Sequence, residues 1–281
     1  MATFYNQATL SYNGTVTNSN VATGEILGGA SITKTAISGE YRQGGTVTYA
    51  VSYTSVGGAA LNGVTLTDDL GAYTVGTETV YPLGYVDGTA RLYVNGTESE
   101  DFTVTAGPPL VFSGINIPAG ANVLIIYEAM TNAFTPRASG SAITNTVTDS
   151  SADPLTATAT VTAADEMMLT ISKSICPETV TDGGTVNYTF VIQNTGNTAA
   201  VATDDLIVTD VFDPILTDIT VTLDGTELTE GTEYTYDQST GVFSTVQSVI
   251  TVPAATYTQD ATTGIITVTP GVSVLKISGT V

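Results

Sequence analysis

The chain has 281 residues, a formal net charge of −21 and no histidine. A negative charge of this size excludes nucleic acids and anionic membrane surfaces as partners, because both are bound through lysine and arginine. The lack of histidine excludes His-dependent catalytic triads and histidine metal sites. No apolar run reaches the ~18 residues that a membrane-spanning segment needs, so we expect no membrane insertion.

The composition indicates an all-β fold. Hydrophobic residues make up 42% and charged residues 12% of the chain, and β-branched Thr and Val recur in short alternating runs. Turn dipeptides separate these runs. Examples are Asn13-Gly14, Asp87-Gly88, Asn95-Gly96 and Asp224-Gly225. Short alternating strands with regular turn signals are typical of immunoglobulin-like β-sandwiches.

The first predicted element is the alternating stretch FYNQATLSYNG, residues 4–14. It reads as one well-formed strand with no obvious partner nearby, because the residues that follow it are polar. We therefore assign residues 1–24 to an N-terminal strand and a polar linker.

An internal repeat follows this segment. Lys34 stands ten positions before Gly44, and Lys173 stands ten positions before Gly183. The tetrapeptide at 46–49, TVTY, matches TVNY at 185–188, and the Thr-Asp pair ending at Asp68 matches the pair ending at Asp210. The repeat predicts two tandem domains, residues 25–166 and 167–281.

The shared pattern, K…GGxVxY…NxG…vTD…PxGxxVxI, resembles the conserved-repeat domain of bacterial surface proteins, a family of unknown function. The resemblance covers nearly the whole chain. It implies tandem immunoglobulin-like sandwiches and an extracellular location, on a bacterial cell or spore surface. Members of the family usually end with a strand of the form xxNxAxVx.

The two copies differ at that final strand. The first copy contains it as SAITNTVTDSS, residues 141–151, with Asn145 in the motif position. In the second copy the preceding strand, SVLKISGTV, is the last of the sequence, and Val281 falls where Met130 sits in the first copy. We therefore expect the second domain to lack its final strand.

The N-terminal strand resembles the absent one. Asn6 aligns with Asn145 and Ala8 with Val147, whereas Leu10 matches Asp149 less well. The predicted donor-strand residues are Phe4, Asn6, Ala8 and Leu10.

An open sheet edge is a template for strand addition, so we expect the donor strand to insert into a neighbouring copy. Such a head-to-tail contact is heterologous and builds a filament when it does not close a ring. Two alternatives remain. The strand closes the chain's own second domain, with residues 13–25 stretched along the first domain, or it is simply the first strand of domain one.

Two repeated lysines carry the candidate chemistry. Lys34 and Lys173 fall on the inward face of their alternating strands. Burial lowers the pKa of an amine and makes it nucleophilic, and a buried acid beside it can donate a proton. A lysine, an asparagine and an acid inside a sandwich resemble the isopeptide-forming sites of Gram-positive pilins and adhesins. The predicted bonds are Lys34–Asn145 within the chain, assisted by Asp68, and Lys173–Asn6 between chains, assisted by Asp210.

Alternatives stay open for this site as well. Both lysines can instead form buried salt bridges with the aspartates. Asp69 and Glu128 are alternative acids in the first domain, with Glu128 ranked lower because it aligns with Gly279.

The remaining candidates are weaker. The single cysteine, Cys176, is expected to be a small buried apolar residue, with an intermolecular disulfide as the alternative. Acidic turns at Asp204-Asp205 and at 210–213 contain oxygen ligands suited to Ca²⁺. Their spacing matches no calcium motif, so we interpret them as solvated loop acids and expect no cofactor.

Two functions are compatible with these features. The first is a structural subunit that polymerises with itself into an extracellular fibre, not an enzyme beyond its own bond formation. The second is a two-domain fragment of a surface adhesin that binds a ligand through its loops.

Overall fold

A computed structural model describes residues 2–26, 29–56 and 59–281. It confirms the all-β sandwich class, with 28 strands and one short 3-10 turn at Ala202–Asp204 among the described residues. None of the helical structure in these ranges is long and apolar enough to cross a bilayer. The chain divides into two compact units. The first unit comprises 1–136 and 142–162, and the second comprises 137–141 and 163–281.

Residues 2–26 fold back on themselves as one long antiparallel hairpin, here called the N-terminal hairpin. Its strands are β1 (Ala2–Asn6), β2 (Thr9–Tyr12), β3 (Thr15–Asn18) and β4 (Ala22–Ile26). β1 pairs with β4 and β2 with β3. The chain reverses at Asn13-Gly14, where both residues have positive φ (46° and 77°), as a two-residue hairpin turn requires.

This hairpin corrects two sequence-based interpretations. The segment assigned to a polar linker is a return strand, because its Thr and Val residues continue the ladder after the turn. Residues 4–14 also do not form the first strand of a domain-one sheet, because β1 pairs with β4 and β2 pairs with β3.

The first unit is a sandwich of two six-stranded sheets. The order of the first sheet is β13-β12-β16-β7-β5, with β11 also on β16, and that of the second is β14-β15-β8-β17-β18-β6. β9 and β10 form a separate hairpin. The strands are β5 (Ala30–Ala36), β6 (Glu40–Tyr41), β7 (Thr46–Ser55), β8 (Leu61–Asp68), β9 (Tyr73–Val75), β10 (Glu78–Val80), β11 (Leu83–Tyr85), β12 (Arg91–Val94), β13 (Thr97–Ser99), β14 (Thr103–Thr105), β15 (Leu110–Ile117), β16 (Asn122–Thr131), β17 (Ala142–Asp149) and β18 (Thr156–Ala163).

The second unit has a five-stranded sheet, β19-β20-β28-β22-β23, and a three-stranded sheet, β21-β25-β24. β26 and β27 pair with each other. Its strands are β19 (Leu169–Cys176), β20 (Thr185–Asn194), β21 (Thr209–Val211), β22 (Thr217–Leu223), β23 (Thr226–Glu227), β24 (Tyr234–Asp237), β25 (Val242–Thr245), β26 (Thr256–Gln259), β27 (Ile266–Thr269) and β28 (Gly271–Thr280). Phe190, Phe212, Phe243 and Leu275 are at the centre of its core.

The repeated motifs occupy corresponding strands in the two units. The lysines lie on β5 and β19, the Thr-Val-x-Tyr segments open β7 and β20, and the aspartates lie on β8 and β21. β8 is flanked by β15 on one side and by β17 on the other. β21 pairs with β25, and the described part of the chain provides no second strand beside it. Counterparts of β17 and β18 are likewise absent from the described strands of the second unit.

The strand ladders also correct one alignment. Ala129 pairs with Val47 in the first unit, and Gly279 pairs with the matching Val186 in the second. Gly279 therefore corresponds to Ala129, not to Glu128, and Val281 corresponds to Thr131, not to Met130. By the same register, Ile277 occupies the position of Tyr127, because each lies opposite the tyrosine of the repeated tetrapeptide.

Candidate functional site

Lys34 lies in the middle of β5 with its side chain inside the first sandwich. Residues of β5 alternate between the two faces, and the Lys34 side chain is 0% exposed. Its Nζ atom lies 5.0 Å from the ring centre of Tyr49 and 6.0 Å from that of Tyr127. Aromatic faces attract a cation, so they compensate part of the cost of burying this amine.

A chain of hydrogen bonds joins Lys34 to Asn145. Lys34 Nζ donates to Asp68 Oδ2 at 2.6 Å, and the Tyr127 hydroxyl donates to the same oxygen. Asn145 Nδ2 in turn donates to the Tyr127 hydroxyl at 3.2 Å. Asp68 and Asn145 are both 0% exposed. The structure thus brings the three predicted residues of the first unit together around Tyr127.

Two buried polar atoms of this cluster have no hydrogen-bond partner, the hydroxyl of Tyr49 and the carbonyl oxygen of Asn145. Asn145 Oδ1 is buried and has no hydrogen-bond partner. A buried acceptor without a donor costs free energy, and native structures contain few of them. The carbonyl is therefore ready to accept a proton or hydrogen bond from a neighbouring acid, which is what attack on the Asn145 carboxamide requires.

The same burial shifts two pKa values in directions that suit the chemistry. Burial lowers the pKa of the Lys34 amine, although the charge of Asp68 opposes the shift. A lower pKa increases the uncharged, nucleophilic fraction of the amine at neutral pH. Burial, and then the negative charge of Asp68, raise the pKa of Tyr127, so its hydroxyl stays protonated and remains a donor.

The alternative acids of the first unit have other roles. Asp69 Oδ1 accepts hydrogen bonds from the backbone N–H groups of Gly71 (2.9 Å) and Thr146 (2.8 Å). Glu128 lies on the face of β16 opposite to Tyr127, because adjacent strand residues point to opposite sides. Asp68 is therefore the acid in contact with the amine.

Tyr127 was missed in the sequence. It lies in the apolar run NVLIIYEAM, where a tyrosine reads as one more hydrophobic core residue. The signal that would have found it is its place on the inward face of β16, directly opposite Tyr49.

The second unit contains the same lysine–aspartate pair in an open setting. Lys173 donates to Asp210, and their side chains are 39% and 18% exposed. Lys173 Nζ lies 4.6 Å from the ring centre of Tyr188 and 5.4 Å from that of Phe190. The position of Tyr127 is taken by Ile277, so no hydroxyl supports Asp210 from that strand.

Apolar residues of β19 near the Lys173–Asp210 pair are also exposed to solvent. All eight residues of β19 are exposed, including Ile171 at 56% and Ile175 at 39%. A cavity of 170 Å³ lies along β19, and Ile171, Ile192 and Ile250 line it with five other residues. A second cavity of 430 Å³ includes Lys173 and Tyr188 in its walls. These two cavities, both lined by residues of β19, and the edge of β21 that no described strand covers are together called the open groove.

The predicted donor residues are exposed in the N-terminal hairpin. Phe4 is 52% and Leu10 62% exposed, and Asn6 and Ala8 are exposed as well. Asn6 pairs with Ala22 across the hairpin.

The other candidates from the sequence are Cys176 and the acidic turn at Asp204-Asp205. Cys176 is exposed, which contradicts the prediction of burial, because strand alternation places it on the face opposite to Lys173 and Ile175. Asp204 Oδ2 accepts a hydrogen bond from the backbone N–H of Val201 at 2.7 Å, and Asp205 accepts one from Ser248 at 3.0 Å. No cluster of metal-ligating side chains was found in the described ranges.

The geometry of the first unit leads to a mass prediction. The monomeric chain should be lighter than its sequence by one ammonia, and a tryptic digest should contain a branched peptide joining Lys34 to Asn145. Asp68→Ala should abolish the loss, because nothing then takes the proton from the amine. Tyr127→Phe should slow the reaction, since Asn145 loses the hydroxyl that holds its carboxamide beside the Lys34–Asp68 pair. A full unmodified mass with free Lys34 would show that no isopeptide bond forms and that Lys34 is held only by its salt bridge with Asp68.

Comparison with known proteins gave structural matches only. No protein-family model and no curated protein sequence matches the chain, so the resemblance to the conserved-repeat domain stays a prediction. The fold is similar to the pilus backbone RrgB of Streptococcus pneumoniae, with 14% identity and a TM-score of 0.34, over 86% of this chain and 55% of that one. It is also similar to BcpA, the major pilin subunit of Bacillus cereus, with 12% identity and a TM-score of 0.37, over 96% of this chain and 73% of that one.

A third similar structure is the collagen-binding domain of a Staphylococcus aureus adhesin, with 9% identity and a TM-score of 0.31, over 50% of this chain and 99% of that domain. The chain spans about half the length of the pneumococcal pilus backbone it matches. With TM-scores below 0.5, these similarities carry no functional inference.

Proposed function

We propose that the chain is the structural subunit of an extracellular pilus-like fibre. The first strand of the N-terminal hairpin of one copy inserts beside β21 of the next copy, and a Lys173–Asn6 isopeptide bond locks the junction. One observation carries the proposal. The same Lys–Asp pair is sealed in the unit where β17 lies beside the aspartate strand, and is partly exposed in the unit where none of the described strands covers that edge.

The register of the first unit specifies how the donor strand would lie. Val147 of β17 pairs with Asp68, and Asn145 precedes it by two residues on the same inward face. If Ala8 takes the place of Val147, it lies opposite Asp210. Asn6 then occupies the position of Asn145, beside the Lys173 amine.

The poorest match between the two strands supports this register. In the first unit, Asp149 accepts a buried hydrogen bond from Tyr53 at 2.6 Å. In the second unit, Tyr53 is replaced by Ile192, which lines the apolar cavity, and in the donor strand Asp149 is replaced by Leu10. The polar pair Tyr53–Asp149 of the first unit thus corresponds to two apolar residues, Ile192 and Leu10. Leu10 would therefore fill the open groove where an aspartate would be unpaired.

The insertion would be favourable before any bond forms. Phe4 and Leu10 are more than half exposed in the hairpin, and burying such side chains contributes ~1.5–3 kcal/mol each. Each backbone hydrogen bond added along β21 contributes about 0.5–1.5 kcal/mol. Because the donor and the groove are different surfaces of one chain, the contact is heterologous and continues as a filament when it does not close.

The bond itself is an amide exchange. Asp210 takes a proton from the Lys173 ammonium, and the free amine attacks the side-chain carbonyl carbon of Asn6. A bond forms between Lys173 Nζ and Asn6 Cγ, the attacking nitrogen gives up a second proton, the bond from Cγ to Nδ2 breaks, and the amide nitrogen leaves with both protons as an ammonium ion. Each subunit reacts once, so the chain is a substrate of its own chemistry and not a turnover enzyme.

Deleting residues 1–12 tests the assembly. The truncated chain should stay monomeric or aggregate without order, because it retains the open groove and has lost the strand that fills it. Negative-stain microscopy of purified protein is the measurement, with the full-length chain as control. Ordered filaments from the truncated chain would rule out donor-strand assembly.

A further inference from the structure

We propose that the donated element is the whole N-terminal hairpin, so that β1–β2 takes the place of β17 and the return strand β3–β4 takes the place of β18. The inference rests on the proposed function and extends it from one strand to two. It follows from the two strands, β17 and β18, that lie beyond β8 in the second sheet of the first unit, and from the cross-strand pairs of the N-terminal hairpin.

The first unit continues its second sheet beyond β8 with two long strands, β17 and β18, followed by the two-residue strand β6. β17 pairs with β8, and β18 pairs with the far side of β17 along seven residue pairs. Among the described residues, the second unit has neither. The lysine strands of the two units differ accordingly, since Ile32 of β5 is half-buried whereas its counterpart in β19, Ile171, is 56% exposed. A single donor strand would restore β17 but leave the place of β18 empty.

The cross-strand pairs of the two hairpins match at the reactive asparagine. Asn145 pairs with Ala159, which is 7% exposed, and Asn6 pairs with Ala22. Directly paired residues project to the same face of a sheet, so the residue beside the asparagine must be small where that face is buried. An alanine stands there in both hairpins.

The next pair along the two hairpins differs in the sizes of its two side chains. Ile143 pairs with Val161 in the first unit, and Phe4 pairs with Gly24 in the N-terminal hairpin. The Phe4 ring lies over Gly24, where an added Cβ atom would come within 2.3 Å of it. One large ring above a glycine thus replaces two medium aliphatic side chains.

The N-terminal hairpin also keeps its inward face continuous. Two residues, Gln7 and Ala8, separate the two ladders on the first strand, and three residues separate them on the return strand. The extra residue is a β-bulge in the return strand. The alternation through Asn6, Ala8 and Leu10 is therefore preserved on the strand that would contact β21.

The order of elements along the chain agrees with this role. Asn6 precedes Lys34 by 28 positions, and Asn145 precedes Lys173 by 28 positions. In both cases a hairpin carrying the asparagine is followed by the lysine strand of the next sandwich. The hairpin of residues 142–163 closes the sandwich before it, and by the same order the N-terminal hairpin would close the second unit of the preceding copy.

Thiol labelling separates a two-stranded donor from a one-stranded donor. Ala22→Cys and Thr23→Cys are made separately in full-length chains carrying Cys176→Ser, and both are exposed in the free hairpin. In assembled fibres, a maleimide probe should lose access to position 22, on the face of Asn6, and keep access to position 23 on the opposite face. Both should label fully when the fibres are unfolded in denaturant.

A second pair of variants gives an independent reading. Ala22→Phe should abolish fibres, because the ring cannot enter the buried layer, whereas Thr23→Phe should assemble normally. If fibres form and position 22 labels as fast as position 23, or if Ala22→Phe assembles like wild type, the two-stranded donor is wrong and the single strand stands. If deletion of residues 1–12 leaves filaments intact, the proposed function fails and this inference fails with it.

Discussion

Fibres of the wild-type chain are expected to remain as a ladder on a gel after boiling in detergent, whereas fibres of Asn6→Ala should collapse to monomers. Strand insertion rests on hydrogen bonds worth about 0.5–1.5 kcal/mol each and on a few buried side chains, and denaturation by heat and detergent removes both contributions. An amide bond between Lys173 and Asn6 survives the same treatment. The variant still presents the strand, so its filaments should look normal before boiling.

Variants of the other two residues should behave consistently. Lys173→Ala should also give filaments that boil to monomers, and Asp210→Ala should crosslink slowly or not at all. Lys276→Ala is the matched control, because Lys276 is exposed on the outer face of β28, between β20 and β22. Wild-type filaments that boil to monomers would leave strand insertion without the bond. A ladder from Asn6→Ala would mean that another residue forms the link.

The second large effect is expected at Leu10. Leu10→Asp should abolish fibres, because it would place a carboxylate in an apolar cavity lined by Ile171, Ile192 and Ile250. Burying an unpaired charge costs several kcal/mol, comparable with the whole gain from the apolar side chains of the donor. Ser11→Asp, one residue further on the opposite face, is the matched control and should assemble.

Giving the introduced aspartate of Leu10→Asp a tyrosine partner should restore assembly. In the first unit the aspartate at this position is paired with Tyr53, whose counterpart is Ile192. The double variant Leu10→Asp with Ile192→Tyr recreates that pair and should recover fibres, measured by microscopy and by sedimentation. Recovery in the double variant and its absence in Leu10→Asp would locate Leu10 against Ile192. Assembly of Leu10→Asp alone would place the strand in another register.

Local patterns in the sequence were sufficient for the fold class and for part of the site. Side chains alternate with a period of two along a strand, so the positions of Lys34 and Lys173 relative to their apolar neighbours already predicted an inward face. The repeated Gly-Gly, Tyr and Asp positions aligned two tandem sandwiches. The contact between Lys34 and Asp68 follows from that alignment, because both residues recur at matched positions in a sandwich with one interior.

Tertiary structure decided what depends on pairing between distant strands. The register of β16 against β7 placed Tyr127, not Glu128, inside the site, and a shift of one residue in that ladder would exchange the two. The return strand of the N-terminal hairpin is an exception, because the Asn13-Gly14 turn signals it locally, although the polar character of residues 15–24 indicates a linker. The hydrogen bond between Tyr53 and Asp149, on which the proposed place of Leu10 beside Ile192 rests, joins residues 96 positions apart. The sequence determines which residues of one strand lie on the same face, but only the assembled sheets determine which residues of different strands are in contact.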